Sequence, residues 1–325
     1  MSDLIAGFDA GQTHTTCRLM QQAADGSWVP IAEGRGPGVC HLAAADGPTR
    51  FQAALAISLI KARQALDDNT LVLVAAGVGA SGIEEGSSAQ EQGRQLAAVV
   101  LSLPPERLVV SGDERAALRG AFPGGEGILM ISGTGCIAVG RNAAGLEHRC
   151  GGWGWLLDGS GSAMDIGHDA LMLSVRMADG RAADTPLRPT LWRALSVSTP
   201  EELKAKVVQA DFGPAGFAQL APVIDQLARD GNAEANAIIR ESASGLADLV
   251  AGVAQALKLT TPPVAAVGGA ITHLPSLRRA WSNKLSQQLP GATVVTAQQD
   301  ACHGALMMAL DRLAPNARLN SENLP

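Results

Sequence analysis

The first residues with the means to do chemistry lie in a short turn near the N-terminus, within the segment Gly7–Thr16. An apolar stretch ends in a single carboxylate, Asp9, and the chain turns at Gly11 before β-branched residues resume, which predicts a β-hairpin. A glycine in the turn lets backbone amides approach a ligand, and the hydroxyl of Thr13 lies beside them. The turn therefore suits a phosphate group and its metal ion. It also suits an ordinary hairpin whose Asp and Thr side chains bond the turn backbone, and this stretch alone slightly favours the ordinary hairpin.

Two later turns follow the same plan. The apolar strand 128–131 enters the turn Ser132-Gly133-Thr134-Gly135, and a second strand, 136–140, follows it. The buried strand 263–267 ends in Gly268-Gly269-Ala270, where the backbone is again accessible. This recurrence predicts two related halves that face each other across a cleft.

Strands and helices alternate around these turns. Apolar residues at helical spacing predict helices at 48–66, 89–101, 114–121, 163–177, 187–195, 200–208, 217–229, 233–257, 274–288 and 301–313. Further strands are predicted at 28–33, 71–76, 107–111 and 293–296. The alternation favours a parallel sheet covered by helices.

A helix-breaking sequence, Phe122-Pro123-Gly124-Gly125, predicts the domain boundary. It divides the chain into domains 1–121 and 122–325, with the closing helix 301–313 able to pack back onto the first domain. The polar tail 314–325 is predicted to be frayed.

Composition limits the classes of function. The chain has 325 residues, of which 46% are hydrophobic, enough to bury two cores. A net charge of −6 argues against a nucleic-acid or anionic-membrane partner and favours small molecules. The five cysteines form no CxxC pair and the six histidines show no metal-binding spacing, so we expect neither a disulfide framework nor a zinc site. With no signal peptide and no apolar run long enough for a membrane span, we expect a cytoplasmic protein, and a homodimer remains open.

Taken together, the three glycine turns resemble the two phosphate motifs and the adenosine motif of the actin, hexokinase and Hsp70 superfamily. Within it, the start GFDAGQTHT and the segments 109–113, 131–135 and 151–154 resemble the N-acetylglucosamine kinases of the BadF/BadG type over nearly the whole chain. The resemblance implies an α/β fold of two ribonuclease H-like domains, each a mixed sheet flanked by helices, with a central cleft. It also implies ATP and Mg²⁺ as cofactors.

The resemblance assigns roles to single residues. It implies that Asp9 holds the Mg²⁺ ion and that the turn of the second half holds phosphates from the opposite side. The implied nucleotide-binding residues are Gly11, Gln12, Thr13, Ser132, Gly133, Thr134, Gly135, Gly268, Gly269 and Ala270, with 301–304 shaping the same pocket.

Asp113 matches the carboxylate that takes the proton from the 6-hydroxyl of the sugar in this family. Such a base contributes roughly 10²–10⁴-fold to the rate. By position alone, Asp113 precedes a predicted helix and would serve as its N-cap. The two roles are compatible.

The family also contacts its sugar through a Trp-Gly element, which here is Trp153-Gly154-Trp155. The alternative is a buried aromatic pair beside a tight turn. Two positions depart from the family pattern: Asp158 is followed by Gly159 and Ser160 where the family has Asp-Glu-Gly-Ser, and Cys40-His41 replaces a sugar-binding Asn. Both changes concern the acceptor. They leave the identity of the sugar open.

The predicted activity is ATP-dependent phosphorylation of the 6-hydroxyl of N-acetyl-D-glucosamine. Glucosamine and N-acetylmuramic acid are the alternative substrates. An alternative of another class is a nucleotide-dependent activator ATPase that acts on a protein partner and not on a sugar.

Overall fold

The computed structural model describes residues 3–66 and 71–313, which form two compact units. The first unit runs up to Gly125 and takes in the chain again from Ala297, whereas the second unit comprises Glu126–Thr296. The sequence places the boundary slightly earlier, after residue 121, and allows the closing helix 301–313 to pack back onto the first domain. In the structure this last helix belongs to the first unit and packs on the first sheet. The tail 314–325 lies outside the described residues.

The sheet of the first unit is mixed. It contains β1 (Asp3–Ala10), β2 (His14–Gln22), β3 (Trp28–Pro37), β4 (Val72–Ala80) and β5 (Leu108–Ser111) in the spatial order β3-β2-β1-β4-β5. The three strands joined by hairpins pair antiparallel, and the strands joined through helices pair parallel. The predicted parallel sheet is thus correct only for β1, β4 and β5, since a hairpin connection forces antiparallel pairing.

Both faces of this sheet are covered. Alternate side chains of β1 separate into two clusters, with Leu4, Ala6 and Phe8 on one face and Ile5 on the other. The first face packs on α1 (Gly47–Gln64) and α2 (Ser88–Leu101). On the opposite side lie α3 (Asp113–Ala121), which follows a short 3₁₀ turn at Pro105–Arg107 and strand β5, and the closing helix α12 (Ala301–Leu313), which packs against Ile5.

Two glycines set the distance between α12 and the sheet. Gly7 of β1 and Gly77 of β4 are paired in register. A Cβ on Gly7 would lie 2.5 Å from the carbonyl oxygen of Cys302, and one on Gly77 would meet the carbonyl oxygen of Ala305. Because no side chain intervenes, the backbone of α12 rests directly on the two central strands.

The second sheet repeats the first. Its strands are β6 (Gly127–Ser132), β7 (Cys136–Arg141), β8 (Glu147–Gly151), β9 (Pro263–Val267) and β10 (Thr293–Val295), in the order β10-β9-β6-β7-β8. The hairpin-connected strands pair antiparallel and the helix-connected strands parallel. Read in the reverse direction, from β8 to β10, this order and these strand directions match those of the first sheet from β3 to β5. The prediction of two related halves is confirmed at the level of the fold.

Helices form most of the second unit and supply most of its core. They are α4 (Ala163–Ala178), α5 (Leu187–Ala194), α6 (Pro200–Val207), α7 (Gly213–Ala218), α8 (Ala221–Arg229), α9 (Ala233–Leu257), α10 (Gly269–His273) and α11 (Pro275–Gln288). The single helix predicted over 217–229 is wrong. The structure divides it into α7 and α8, with Pro222 in the first turn of α8, where a missing backbone N–H costs nothing. Among the described helices, none combines the length and apolarity needed to cross a membrane.

Candidate active site

The predicted metal ligand lies at the edge of the first sheet where the parallel strands end. Asp9 occupies the end of β1 and pairs in register with Gly79 of β4. Two helices of the same unit begin near this edge, α3 with Asp113 as its first residue and α12 directly after Asp300. The first unit therefore brings three carboxylates from distant parts of the chain together.

The surroundings of Asp9 disfavour the ionised form of its carboxyl group. Burial, and after it the charges of Asp113 and Asp300, raise the pKa of its carboxyl from 3.8 to about 6, against smaller opposing effects of His14 and Arg18. A carboxylate crowded by two others in a partly buried place gains much from a cation. The electrostatics of this position suit a divalent metal ion.

Asp300 is held in place by Arg18. The guanidinium donates to both carboxylate oxygens of Asp300, at 2.8 and 2.7 Å, and also pairs with Glu33 at 2.9 Å. Asp300 in turn accepts the backbone N–H of His303 at 2.8 Å, in the manner of an N-cap for α12. Burial alone would raise the pKa of Asp300, but the hydrogen bonds and the charge of Arg18 outweigh it and the pKa lies below the usual value.

Asp113 does not cap its helix. Gly112 occupies the N-cap position without a side-chain hydrogen bond, and Asp113 is the first helical residue. The Asp113 carboxylate instead accepts a hydrogen bond from the hydroxyl of Ser81, with 2.6 Å between Oγ and Oδ2. The predicted capping role is therefore wrong, and the carboxylate is oriented by a residue at the end of β4.

The turn between β1 and β2 leaves hydrogen-bond donors free. Gly11 is bonded on both sides, to the carbonyl of His14 and the amide of Val39. Within the described part of the chain, the backbone N–H groups of Gln12 and Thr13 have no partner. An exposed turn with free N–H groups is an anion-binding arrangement.

Cys40 and His41 follow the loop that packs on this turn. The thiol of Cys40 lies 3.7 Å from a carboxylate oxygen of Asp46. The Nδ1 atom of His41 accepts the backbone N–H of Ala43 at 3.1 Å, so Nε2 is the nitrogen left for a ligand. A Cβ on Gly82 would lie 3.3 Å from His41, which places His41 beside the segment that carries Ser81.

In the second unit, the predicted phosphate turn is fixed by its neighbours. Ser132 donates its hydroxyl to the carbonyl of Gly161 at 2.8 Å, and the carbonyl of Gly133 accepts the first N–H of α4, from Ala163, at 2.8 Å. Thr134 and Gly135 are exposed at the tip of the turn. The backbone N–H of Thr134 has no partner among the described residues, so this turn also offers a free donor.

The predicted adenosine motif lies against this turn. Gly268 has a φ of +105°, and a Cβ there would collide with the carbonyl oxygen of Ser132. Only glycine satisfies both conditions. At Gly269 a Cβ would meet nothing within 4 Å, so the space beside the backbone is open, and Ala270 lies in the short helix α10.

The tryptophans are on the surface. Trp153 is 58% exposed and Trp155 is 45% exposed, and Leu156 and Leu157 beside them are also exposed. The guanidinium of Arg149 lies 4.6 Å from the ring centre of Trp153, and the intervening Gly154 has a φ of +88°. The alternative of a buried aromatic pair is therefore wrong. Apolar rings in this position form a face available to a ligand.

Asp158 is half-buried behind the tryptophans. Its backbone N–H donates to the carbonyl of Gly154 at 2.9 Å, and its carboxylate lies beside Gly151 at the end of β8. It also lies close enough to Cys136 and Cys150 to contribute to their raised pKa values, for which burial is the larger cause. The carboxylate is thus directed toward the sheet and away from the exposed Trp face.

Two features of the described residues suit a nucleotide: free backbone N–H groups and backbone surfaces without side chains. The free N–H groups of Gln12, Thr13 and Thr134 suit phosphate oxygens, and the contact of Gly268 with Ser132 leaves no room for a side chain. No group of three or more His, Cys, Asp or Glu side chains among the described residues forms a metal cage. Mg²⁺ needs no such cage, because proteins bind it through one or two carboxylates together with water and substrate phosphates.

Sequence reasoning missed Ser81 and Asp300. Ser81 directly follows β4 and precedes Gly82, and a hydroxyl at the end of a buried strand was the available signal. Asp300 precedes a helix, and that position indicates only a cap. Their relation to Asp113 and Asp9 depends on contacts between residues far apart in sequence.

Comparison with known proteins gives a family and several relatives. The sequence pattern of the BadF/BadG/BcrA/BcrD ATPase family matches residues 6–309. An N-acetylmuramic acid/N-acetylglucosamine kinase of Clostridium acetobutylicum is 28% identical over 205 residues, 62% of this chain and 67% of the relative. An N-acetyl-D-glucosamine kinase of Dictyostelium discoideum is 32% identical over 193 residues, 57% of this chain and 59% of the relative. The chain thus aligns with about two thirds or less of each curated relative.

Solved structures agree in fold. A Chromobacterium violaceum protein assigned as an N-acetylglucosamine kinase has a TM-score of 0.72 and 25% identity, covering 94% of this chain and 98% of that one. A ROK hexokinase from Thermus thermophilus has a TM-score of 0.59 at 13% identity, covering 94% and 97% of the two chains. At that low identity the second likeness concerns the fold alone. It is the fold of two ribonuclease H-like domains.

Proposed function

Because this chain belongs to the BadF/BadG/BcrA/BcrD ATPase family, we propose that it is an ATP-dependent amino-sugar kinase that phosphorylates the 6-hydroxyl of N-acetyl-D-glucosamine. The names of the curated relatives support the substrate class. The observation that carries the reaction type is the pair of carboxylates in the first unit, Asp9 and Asp113, each in a different environment. Two acidic groups held apart in this way can take separate roles, one toward a metal ion and one toward a proton.

Asp113 is the proposed general base. Its Oδ2 accepts the Ser81 hydroxyl, which fixes the side chain and leaves Oδ1 for the proton of the sugar hydroxyl. Asp113 is also the first residue of α3, so the helix fixes the backbone from which the carboxylate extends. The proposed base is therefore held in a defined orientation toward the hydroxyl it would deprotonate.

Asp9 is the proposed ligand of Mg²⁺. When bound, the ion neutralises charge on the phosphates of ATP. Asp9 orients that ion from the end of β1, and the N–H groups of Gln12 and Thr13 with the Thr13 hydroxyl bind the terminal phosphates. Arg18 keeps Asp300 ionised and in place beside Asp9.

The second unit contributes backbone to nucleotide binding. Ser132 fixes the turn through Gly161, and the N–H of Gly133 is bonded to the carbonyl of Gly135, so that the free N–H of Thr134 is left for a phosphate oxygen beside Gly133 and Gly135. Gly268, Gly269 and Ala270 leave space beside the backbone for adenosine. A turn that is already bonded to its neighbours loses little freedom on binding.

Each unit carries side chains that we propose to bind the sugar. In the second unit, Trp153 and Trp155 offer apolar faces to a pyranose ring, and Gly154 leaves space for the N-acetyl group. In the first unit, His41 offers Nε2 to a sugar hydroxyl, and Cys40 offers a weaker donor. Asp158 is directed toward the sheet, so we assign it to support of the Trp turn more than to direct contact.

A sugar panel tests the proposal. Purified protein with ATP and Mg²⁺ is offered N-acetylglucosamine, glucosamine, N-acetylmuramic acid, N-acetylmannosamine and glucose, and ADP release and the position of the new phosphate are measured. We expect the highest kcat/KM with N-acetylglucosamine and a 6-phosphate product. ADP release without dependence on any sugar would contradict the proposal and favour the activator ATPase. The five free thiols of the structure suit a reducing compartment, so the assay contains a reductant.

A further inference from the structure

A polar groove on the surface of the second unit shares no residue with the candidate active site. It lies between α9 and α11 and has a volume of about 630 Å³. Pockets for small molecules have volumes of roughly 300–1,000 Å³. The groove is therefore large enough for a small metabolite, and both of its walls belong to one compact unit.

The charges in the groove are unbalanced. Arg240 from α9 and Arg279 and Lys284 from α11 line it together with a single acid, Glu241. Within residues 3–66 and 71–313, none of the three cationic side chains forms an ion pair or a hydrogen bond. Three cations against one anion leave a surplus of two positive charges. Unpaired like charges that converge on a concave surface attract an anion.

A buried hydroxyl in the groove also lacks a partner. Ser276 lines the groove near the start of α11 and is 4% exposed, yet its Oγ has no hydrogen-bond partner. The backbone N–H of Ser276 donates to Asp225 at 2.9 Å, and Asp225 is paired with Arg229 at 3.3 Å, so that acid is already balanced. A buried polar group without a partner is costly, so Ser276 gains from a ligand that supplies one.

We propose that this groove binds a small hydroxylated phosphate monoester. A phosphate monoester at neutral pH is close to a dianion, which matches the surplus of two positive charges. Arginine side chains bind phosphate oxygens in pairs, and lysine adds a point charge. The remaining volume is lined by polar groups such as the amide of Asn283 and the hydroxyl of Ser276, which suit a carbon skeleton that carries hydroxyl groups.

Titration calorimetry with glycerol 3-phosphate tests the proposal. The nucleotide and sugar sites are first saturated with a non-hydrolysable ATP analogue and N-acetylglucosamine, so that the added phosphate monoester reports on another site. We expect saturable binding of glycerol 3-phosphate, weaker binding of inorganic phosphate and no binding of glycerol. Equal binding of inorganic phosphate and glycerol 3-phosphate would contradict the proposed recognition of a hydroxylated carbon skeleton. Absence of saturable binding would contradict the existence of the site.

Two arginines side by side on α11 provide a matched control. Arg279 lines the groove and Arg278 does not. Loss of a charge-assisted hydrogen bond costs about 1.5–3 kcal/mol, so Arg279→Gln is expected to weaken binding by roughly tenfold or more. Arg278→Gln is expected to bind as the wild type does. Equal weakening by both variants would show a general charge effect and overturn the site.

Ser276→Ala separates a ligand contact from a structural role. If the hydroxyl serves the ligand, the variant binds glycerol 3-phosphate several-fold more weakly while the unliganded protein unfolds at the same or a higher denaturant concentration. A lower unfolding midpoint with unchanged binding would assign the hydroxyl to the fold and overturn its place in the site. These measurements detect binding and require no turnover, so their failure is distinguishable from failure of the proposed kinase activity.

Discussion

The Oγ atom of Ser81 lies 2.6 Å from Oδ2 of Asp113 and fixes the carboxylate that begins α3. Ser81 directly follows β4, and Asp113 is the first residue of α3. The bond gives Asp113 a defined orientation that its position at a helix N-terminus alone would not supply. The first two predictions follow from this pair.

Substitution Asp113→Asn removes the proposed base and keeps the shape of the side chain. We expect sugar phosphorylation to fall by about 10²–10⁴-fold, because the amide cannot accept the proton. The affinity for ATP, measured by titration calorimetry, is expected to stay near the wild-type value. Retained phosphorylation would remove Asp113 from this role.

Substitution Ser81→Ala frees the carboxylate without removing it. Loss of one charge-assisted hydrogen bond is expected to lower kcat by about tenfold while KM for ATP changes little. Ser87→Ala is the control, since Ser87 caps α2 through the backbone N–H of Gln90 and lies outside the site. It is expected to cost about 1 kcal/mol of stability without loss of kcat. Equal kcat in Ser81→Ala and wild type would show that Asp113 needs no orienting bond.

The raised pKa of Asp9 predicts a pH-dependent stability. Burial and two neighbouring acids raise this pKa from 3.8 to about 6, so within that window the folded protein binds more protons than the unfolded chain. The contribution of Asp9 to the free energy of unfolding is therefore greatest below pH 3.8, and it is lost as the pH rises through about 6. At pH 8, Asp9→Asn is expected to unfold with a free energy up to about 3 kcal/mol higher than the wild type, and the difference should shrink to about 0.5 kcal/mol near pH 4. Urea unfolding at both pH values measures it, and a difference independent of pH would contradict the assignment.

Added Mg²⁺ is expected to offset the loss of stability that the ionised Asp9 causes at high pH. At pH 8 the ion relieves the repulsion among Asp9, Asp113 and Asp300, so it should raise the melting temperature of the wild type. Asp9→Asn should respond less, and both proteins should respond less at pH 5, where protons compete for the carboxylate. A rise of equal size in both proteins at pH 8 would place the metal elsewhere.

Gly268→Ala tests the contact between the adenosine motif and the phosphate turn. A methyl group there collides with the carbonyl of Ser132 and must adopt a φ of +105°, so we expect loss of ATP affinity by tenfold or more. Gly180→Ala is the matched control, because Gly180 also has a positive φ, of +80°, but its Cβ would meet nothing within 4 Å. The control shares the backbone strain and lacks the collision. If both variants bind ATP alike, the contact with Ser132 is irrelevant to nucleotide binding.

The sequence predicts most elements because their periodicity is strong. Helix α9 was predicted over 233–257, the bounds that the structure shows, since one face of it is buried along its whole length. Strand β8 was missed because its residues, Glu147-His148-Arg149-Cys150-Gly151, are polar and lie at the edge of the sheet. An edge strand needs little apolar character, so its pattern is weak.

The site was less accessible to sequence reasoning than the fold. Asp9, Gly11 and the turn at Ser132 could be singled out because a glycine turn after an apolar strand is a local signal. Ser81 and Arg18 could not, because their significance depends on Asp113 and Asp300, which lie far along the chain. The predicted N-cap at Asp113 failed for a local reason: Gly112 takes that position, and the helix begins one residue earlier than its apolar pattern indicates.

The return of the chain to the first unit at Ala297 has a consequence for synthesis on the ribosome. The second unit, Glu126–Thr296, is complete in sequence before α12 has been made. Until then Gly7, Gly77 and Ile5 of the first sheet lack the helix that covers them. Domains generally fold as they emerge from the ribosome. The first unit is therefore begun first but completed last. A nascent chain that ends before α12 would contain a folded second unit and a first sheet with one face uncovered.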